Sequence, residues 1–114
     1  MNLLKILQII AVIATILTGL LSLVAPTKIE GFTGIHPVGG RGITEIRAIF
    51  GGLFIGLGIA ALLLDKAAAY PVLGIMYLAI AVVRAVSMLV DKSIESSNII
   101  SLVIEIVIGV ILVL

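Results

Sequence analysis

Residues 3–24 read LLKILQIIAVIATILTGLLSLV, an apolar run in which Lys5 is the only charged residue. A helix of this length is about 33 Å long at a rise of 1.5 Å per residue, and the hydrocarbon core of a bilayer is about 30 Å thick. The apolar residues follow one another without the alternation that a membrane-spanning strand shows. The run therefore predicts a helix that crosses a membrane.

Three further apolar runs lie at about residues 46–64, 71–90 and 98–114. Pro26 ends the first run, and Pro71 suits the first turn of the third helix. Ser96 or Ser97 predicts the N-cap of the fourth helix. We therefore predict an all-α fold, a single integral membrane four-helix transmembrane bundle over residues 1–114, with both termini on the same side of the membrane.

The amino-acid composition supports lipid as the solvent. Of the 114 residues, 62% are hydrophobic and 11% are charged, whereas soluble domains average roughly 45–50% and about 25%. The net charge of +1 excludes a basic nucleic-acid-binding surface. The chain has no cysteine, which excludes disulfides and thiolate catalysis, and its single histidine excludes a multi-histidine metal site. We therefore assign no catalytic residue and no metal ligand.

The connection between the first two helices is long and rich in glycine. Residues 27–44 contain five glycines and the dipeptide His36-Pro37. Long loops without regular structure are often functional or mobile. We interpret this segment either as a plain surface loop or as a lid that folds over the end of the bundle, and we take His36 as its candidate site residue.

Four charged residues lie inside the apolar runs or at the entrance of one: Arg84, Glu105, Glu45 and Arg47. A central Arg or Glu costs at least about 2.5–3.5 kcal/mol on insertion scales, so such residues usually face a bundle interior and are paired. Counting residues from the nearest connection places all four in one half of the membrane, where their charges sum to zero. We expect Arg84 to pair with Glu105 and Glu45 with Arg47, or the crossed pairs. The cluster either fixes helix register or forms a ligand or proton site.

Helical spacing places polar or small residues on one face of each helix. Tyr77, Arg84 and Ser87 share a face of the third helix, and Asn98 shares one with Glu105 on the fourth. The predicted polar cluster is therefore Glu45, Arg47, Tyr77, Arg84, Ser87 and Glu105. The second helix carries small residues at spacings of four, namely Ala48, Gly52, Gly56 and Ala60. Because small residues let membrane helices approach closely, this stripe predicts a helix-packing face.

Residues 45–52, Glu-Ile-Arg-Ala-Ile-Phe-Gly-Gly, resemble the last eight positions of the signature Asn-Glu-x-Arg-x-x-Tyr-Gly-Gly. This signature is found in a family of small four-helix prokaryotic membrane proteins. That family carries a domain-of-unknown-function label and is grouped with DoxX/DoxD-like proteins. Arg84 and Glu105 are similar to later positions of its pattern, whereas Phe50 stands where the family often has Tyr. The resemblance covers nearly the whole chain and implies a location in a prokaryotic cytoplasmic membrane.

Three functions remain open at this point. The first is a binding or accessory protein whose charged cluster holds a small anionic or amphipathic ligand, or docks a partner subunit. The second is a subunit of a quinone-linked membrane oxidoreductase, which the resemblance to DoxX/DoxD-like proteins implies, with quinone or lipid as the bound molecule. The third is a small proton-coupled transporter that uses Glu105.

We favour the binding protein, because the sequence holds no set of nucleophiles or metal ligands and no cofactor motif. The expected partners are the lipid bilayer and either another membrane protein or a second copy of the chain. Nucleic acid is not expected as a partner.

Overall fold

The structure, a computed structural model, describes residues 2–65 and 67–114 and is built from helices joined by short connections. The helices are α1 (Leu3–Val24), a 3₁₀ turn (Pro26–Ile29), α2 (Glu30–Thr33), α3 (Gly39–Glu45), a π-helical segment (Ile46–Leu53), α4 (Phe54–Leu64), α5 (Ala69–Val90) and α6 (Ser96–Val113). No strand occurs within the described residues. The all-α prediction is therefore confirmed.

Four helical segments are long and apolar enough to cross a membrane: Leu3–Val24, Gly39–Leu64, Ala69–Val90 and Ser96–Val113. Their mean hydropathies lie between 2.1 and 2.4. The second span is continuous through α3, the π-helical segment and α4, and it begins seven residues earlier than the predicted residue 46. By length and composition, the chain has the character of an integral membrane protein.

The prediction of a long loop over residues 27–44 is wrong for most of that segment. Only residues 34–38 lack helical structure, and the second span already begins at Gly39. Three local contacts support the early start: Arg41 pairs with Glu45 one turn later, the Thr44 hydroxyl donates to the Gly40 carbonyl, and Pro37 packs closely against Gly42. These contacts accompany the helical start at Gly39, despite the low helix propensity of glycine.

The predicted N-cap of α6 is also displaced by one residue. Glu95 holds the N-cap position in extended conformation, with φ −124° and ψ 159°, and its side chain makes no capping hydrogen bond. The Ile99 N–H already donates to the Glu95 carbonyl at 2.9 Å, so Ser96 lies inside the helix. Asn98 closes the preceding turn instead, because its amide donates to the Ser93 carbonyl at 2.9 Å.

The chain divides into two compact units, one formed by residues up to Ala11 together with Asp65–Leu114 and the other by Val12–Leu64. In the first unit, α5 and α6 pack together as a helical hairpin around Gly74 and Gly109. A Cβ atom at Gly74 would lie 2.9 Å from the Gly109 carbonyl oxygen. Glycine at this crossing therefore permits backbone contact between the two helices.

In the second unit, α1 packs against the second span through a different set of glycines from the one predicted. A Cβ at Gly19 would lie 2.9 Å from the Gly51 carbonyl oxygen, and a Cβ at Gly58 would overlap the Ile16 side chain. In the predicted stripe, by contrast, Ala48, Gly52 and Gly56 are exposed and Ala60 is half-buried. The π-helical segment explains why other glycines face α1, because i→i+5 bonding turns the chain through a smaller angle per residue than an α-helix. The stripe from Ala48 to Ala60 stays a prediction of a packing face.

Alanine substitutions of glycine distinguish the effect of close helix packing on stability from the effect of helix propensity. Gly74→Ala is expected to lower the free energy of unfolding by about 1–2 kcal/mol, because the added methyl meets the backbone of α6. Gly56→Ala is the matched control: its Cβ meets nothing within 4 Å, and we expect stability to be unchanged or raised by up to about 1 kcal/mol. Unfolding in detergent mixed with SDS, followed by circular dichroism, measures both, and equal effects would contradict the packing at Gly74.

Candidate functional site

Arg84 of α5 and Glu105 of α6 form a bidentate ion pair inside the α5–α6 hairpin. The guanidinium Nε donates to Oε1 and NH2 donates to Oε2, each at 2.7 Å. Glu105 is 9% exposed and lies near the middle of α6. The parallel alignment of the two groups gives the strongest geometry that an Arg–carboxylate pair adopts.

Asn98 makes a third hydrogen bond with the Arg84 guanidinium. Its amide oxygen accepts a hydrogen bond from NH1 of Arg84 at 2.9 Å, while its amide nitrogen donates to the Ser93 carbonyl. The guanidinium is therefore oriented by three hydrogen bonds, and its position is coupled to the turn that connects α5 and α6. Of its five N–H donors, two have no partner within the described residues.

The pair satisfies the electrostatic demands of an apolar setting. One positive and one negative charge at hydrogen-bond distance neutralise each other, and an unpaired charge in the same place would be costly. Among the described residues, every fully buried side-chain nitrogen or oxygen has a hydrogen-bond partner. Beyond these buried atoms, the two remaining N–H groups of Arg84 have no hydrogen-bond partner among the described residues.

A groove of about 470 Å³ lies beside Arg84, entirely within the first unit. Four of its lining residues are apolar, namely Ala79, Ile80, Val83 and Met88, and four are polar, namely Arg84, Ser87, Ser93 and Asn98. The Ser87 hydroxyl donates to the Asp91 carboxylate at 2.6 Å. The groove therefore combines aliphatic side chains with hydrogen-bonding groups, which suits an amphipathic molecule.

Tyr77 lies on the same helix as Arg84 but in a different environment. Its side chain is buried, with 6% exposure, and it is not one of the described residues that line the groove. Tyr77 is therefore a buried aromatic residue of the core.

Glu45 and Arg47 belong to the second unit and each has a partner other than the one expected. Glu45 pairs with Arg41, and Arg47 Nε donates to the Leu23 carbonyl at 3.1 Å. Leu23 lies in the last turn of α1, where the carbonyl groups lack helical partners and attract cations. Arg47 therefore ties the start of the second span to the end of α1, and the expected Glu45–Arg47 pair is replaced by these two contacts.

His36 lies in the short non-helical segment before α3. Its Nδ1 is 3.1 Å from Oε2 of Glu30, and the side chain is 70% exposed. It therefore forms part of a surface cluster in the second unit and not of the groove at Arg84.

A second polar cluster in the first unit was not predicted from the sequence. Lys5 of α1 pairs with Asp65, and its ammonium lies 4.1 Å from the centroid of the Tyr70 ring. The Tyr70 hydroxyl donates to Asp65 at 2.8 Å. The hydrogen bond from Lys5, followed by that from Tyr70, lowers the pKa of Asp65 below its ordinary value. The three residues were not grouped because Lys5 is 60 positions from Asp65 in sequence.

The family model for a domain of unknown function, DUF4345, matches residues 3–114. The chain belongs to this family. The match covers nearly every residue described above, so the DUF4345 domain includes both units and all three polar clusters. No curated protein and no solved structure is significantly similar to the chain.

Replacing both members of the Arg84–Glu105 pair is expected to lower the free energy of unfolding by much less than the sum of the two single replacements. Arg84→Leu leaves a buried carboxylate without its partner and should lower the free energy of unfolding by about 3 kcal/mol. Adding Glu105→Leu should recover about 1–3 kcal/mol relative to additivity. Unfolding in SDS-containing micelles measures the cycle. Additive single and double changes would contradict the energetic coupling of the pair.

The contacts of Asp65 with Lys5 and Tyr70 should make the stability of the fold depend on pH in the acidic range. Because the folded-state pKa of Asp65 lies below its ordinary value of 3.8, the carboxylate stabilises the fold above that value. This contribution is lost as the pH falls through the lowered pKa. Melting temperatures in detergent at about pH 7 and about pH 3 test this dependence. Asp65→Asn should show a smaller acid-induced decrease than the unsubstituted chain.

The matched control for Asp65 is Glu95→Gln, which removes a carboxylate that forms no ion pair with the described residues. This variant should keep the acid-induced decrease of the unsubstituted chain. If Asp65→Asn keeps the full decrease as well, the Lys5–Asp65–Tyr70 contacts do not contribute to stability.

Proposed function

We propose that the chain is a membrane-embedded binding protein whose groove at Arg84 holds a small amphipathic molecule. The observation that carries this proposal is the state of Arg84, which is held by Glu105 and Asn98 and keeps two N–H donors available. A donor group fixed in advance loses little conformational entropy when a ligand binds. The ligand's polar head therefore carries hydrogen-bond acceptors, such as carboxylate or carbonyl oxygens.

The size and lining of the groove support a ligand of this kind. Ligand pockets generally have volumes of about 300–1,000 Å³ and are mostly apolar with a few converging polar groups. The groove has about 470 Å³, and half of its described lining residues are apolar. An alkyl chain or ring on Ile80 and Val83 would place a polar head near Arg84 and Ser87.

A quinone is a second ligand class that the same groove favours. A quinone has carbonyl oxygens that accept hydrogen bonds and an apolar ring and tail, so it matches both the polar and the apolar residues of the groove. This would fit the chain as a subunit of a quinone-linked oxidoreductase, the function that the resemblance to DoxX/DoxD-like proteins implies. Proton-coupled transport has less support, because both carboxylate oxygens of Glu105 are engaged by Arg84.

The proposed setting is a prokaryotic cytoplasmic membrane, with four crossings that place both termini on the same side. Docking of a partner subunit, or of a second copy of the chain, is the other use that an exposed groove in a small membrane protein permits. The small-ligand proposal is preferred because polar side chains, among them Arg84 with two N–H groups that have no partner among the described residues, interrupt the apolar surface of the groove.

Filling the groove without touching the ion pair tests the proposal. Val83 lines the groove and is 68% exposed, whereas its neighbour Val82 is 64% exposed and is not among the described lining residues. The unsubstituted chain, extracted with its native lipids and examined by native mass spectrometry, should carry one bound amphipathic molecule. Val83→Phe should reduce its occupancy by about tenfold or more, and Val82→Phe should retain it.

The identity of the bound mass distinguishes the candidates. A carboxylate lipid or a quinone supports the binding function and separates its two ligand classes. Absence of a bound molecule from the unsubstituted chain, or equal occupancy in Val83→Phe and Val82→Phe, would contradict the groove as the binding site.

A further inference from the structure

The second unit contains a separate pocket of about 320 Å³, formed where residues 35–38 fold against the start of the second span. Its lining includes two groups with hydrogen-bonding chemistry, His36 and Glu45. Most of the remaining wall is apolar and includes Ile46, Ile49 and Phe50. The pocket thus lies on the sequence motif of residues 45–52, outside the groove to which the proposed function is assigned.

The polar groups of this pocket are acceptors. Arg41 donates to Oε1 of Glu45, and Oε2 of Glu45 accepts no hydrogen bond from the described residues. The Nδ1 of His36 contacts the Glu30 carboxylate, which accepts hydrogen bonds only, so Nδ1 carries the proton. In the neutral imidazole, Nε2 is then the acceptor. The pocket therefore offers a carboxylate oxygen and an imidazole nitrogen to a ligand that donates.

The charge of Glu45 and the aromatic ring of Phe50 restrict the class of ligand further. Glu45 is the only acidic or basic residue, other than His36, among the described lining residues. The Arg41 side chain that pairs with it is 78% exposed, and exposed ion pairs of this kind are weak. An incoming cation can therefore replace Arg41 at little cost. Phe50 adds an aromatic ring, which attracts cations that approach its face.

We propose that this pocket binds the protonated amine of an amphipathic molecule. Glu45 and His36 accept hydrogen bonds from the ammonium, Phe50 stabilises its charge, and Ile46 and Ile49 contact the attached alkyl chain. The groove at Arg84 presents N–H donors, so it should favour ligands that accept hydrogen bonds, whereas the amine pocket should favour ligands that donate them. Binding at the amine pocket is therefore independent of the proposed function, and either can fail without the other.

Decylammonium is a suitable probe, with 1-decanol as its neutral counterpart of equal chain length. The full chain is placed in nanodiscs of phosphatidylcholine at neutral pH, and binding is measured by titration calorimetry after subtraction of empty nanodiscs. We expect saturable binding of decylammonium at a stoichiometry of one and binding of 1-decanol at least tenfold weaker. Equal binding of the two probes would overturn the proposal.

Three variants locate the site. Glu45→Gln should weaken decylammonium binding by about tenfold or more, and His36→Leu by several-fold. Glu95→Gln, which removes an exposed carboxylate outside the pocket, should bind like the unsubstituted chain. Circular dichroism confirms that each variant is folded. His36→Leu keeps the test decisive if Glu45→Gln does not fold, because His36 is 70% exposed in a non-helical segment.

The outcomes separate this proposal from that for the Arg84 groove. Val83→Phe should leave decylammonium binding unchanged, and a loss in this variant would assign the amine to the groove. Unchanged binding in both Glu45→Gln and His36→Leu, or an equal loss in Glu95→Gln, would overturn the amine pocket.

Discussion

The ion pair between Arg84 and Glu105 is the interaction on which the first unit depends. Apolar helices gain little hydrophobic free energy from each other in lipid, so close packing and hydrogen bonds must hold them together. Gly74 and Gly109 supply the close packing of α5 against α6, and the bidentate pair supplies the directional contact. Because the pair joins one position on α5 to one on α6, it also helps to determine where the groove at Arg84 lies.

The features that could be predicted from the sequence are those that lipid constrains most strongly. A membrane span needs about 20 apolar residues and satisfies its backbone groups internally, so the run at residues 3–24 is unambiguous. A charge in such a run needs a partner, and α5 and α6 each hold one, Arg84 and Glu105. Glu105 and Asn98 were placed on one face because they are seven residues apart, and both contact the guanidinium.

The features that could not be predicted depend on local geometry or on contacts between distant residues. The glycines of residues 39–42 indicated a loop, yet the Arg41–Glu45 pair and the packing of Pro37 on Gly42 accompany a helix. The π-helical segment makes Gly51 and Gly58, rather than Gly52 and Gly56, the glycines that face α1, a change that a fixed helical period cannot reproduce. Sequence spacing likewise carries no information about the contact between Lys5 and Asp65.

Pairing of charges also determines what kind of selectivity the chain can have. Of its six acidic residues, Glu45, Asp65 and Glu105 form ion pairs with arginine or lysine in the described structure, and Glu30 accepts a hydrogen bond from His36. Neither the groove nor the amine pocket therefore holds an isolated charge before a ligand binds, because Glu105 pairs with Arg84 and Glu45 with the exposed Arg41. A ligand can bind the polar atoms that these pairs do not use. In the groove these are two N–H groups of Arg84, and in the amine pocket Oε2 of Glu45, none of which has a hydrogen-bond partner among the described residues. The groove should therefore favour head groups that accept hydrogen bonds, whereas the amine pocket should favour a cationic donor that replaces Arg41 at Glu45. The apolar residues of both sites can contact any alkyl chain.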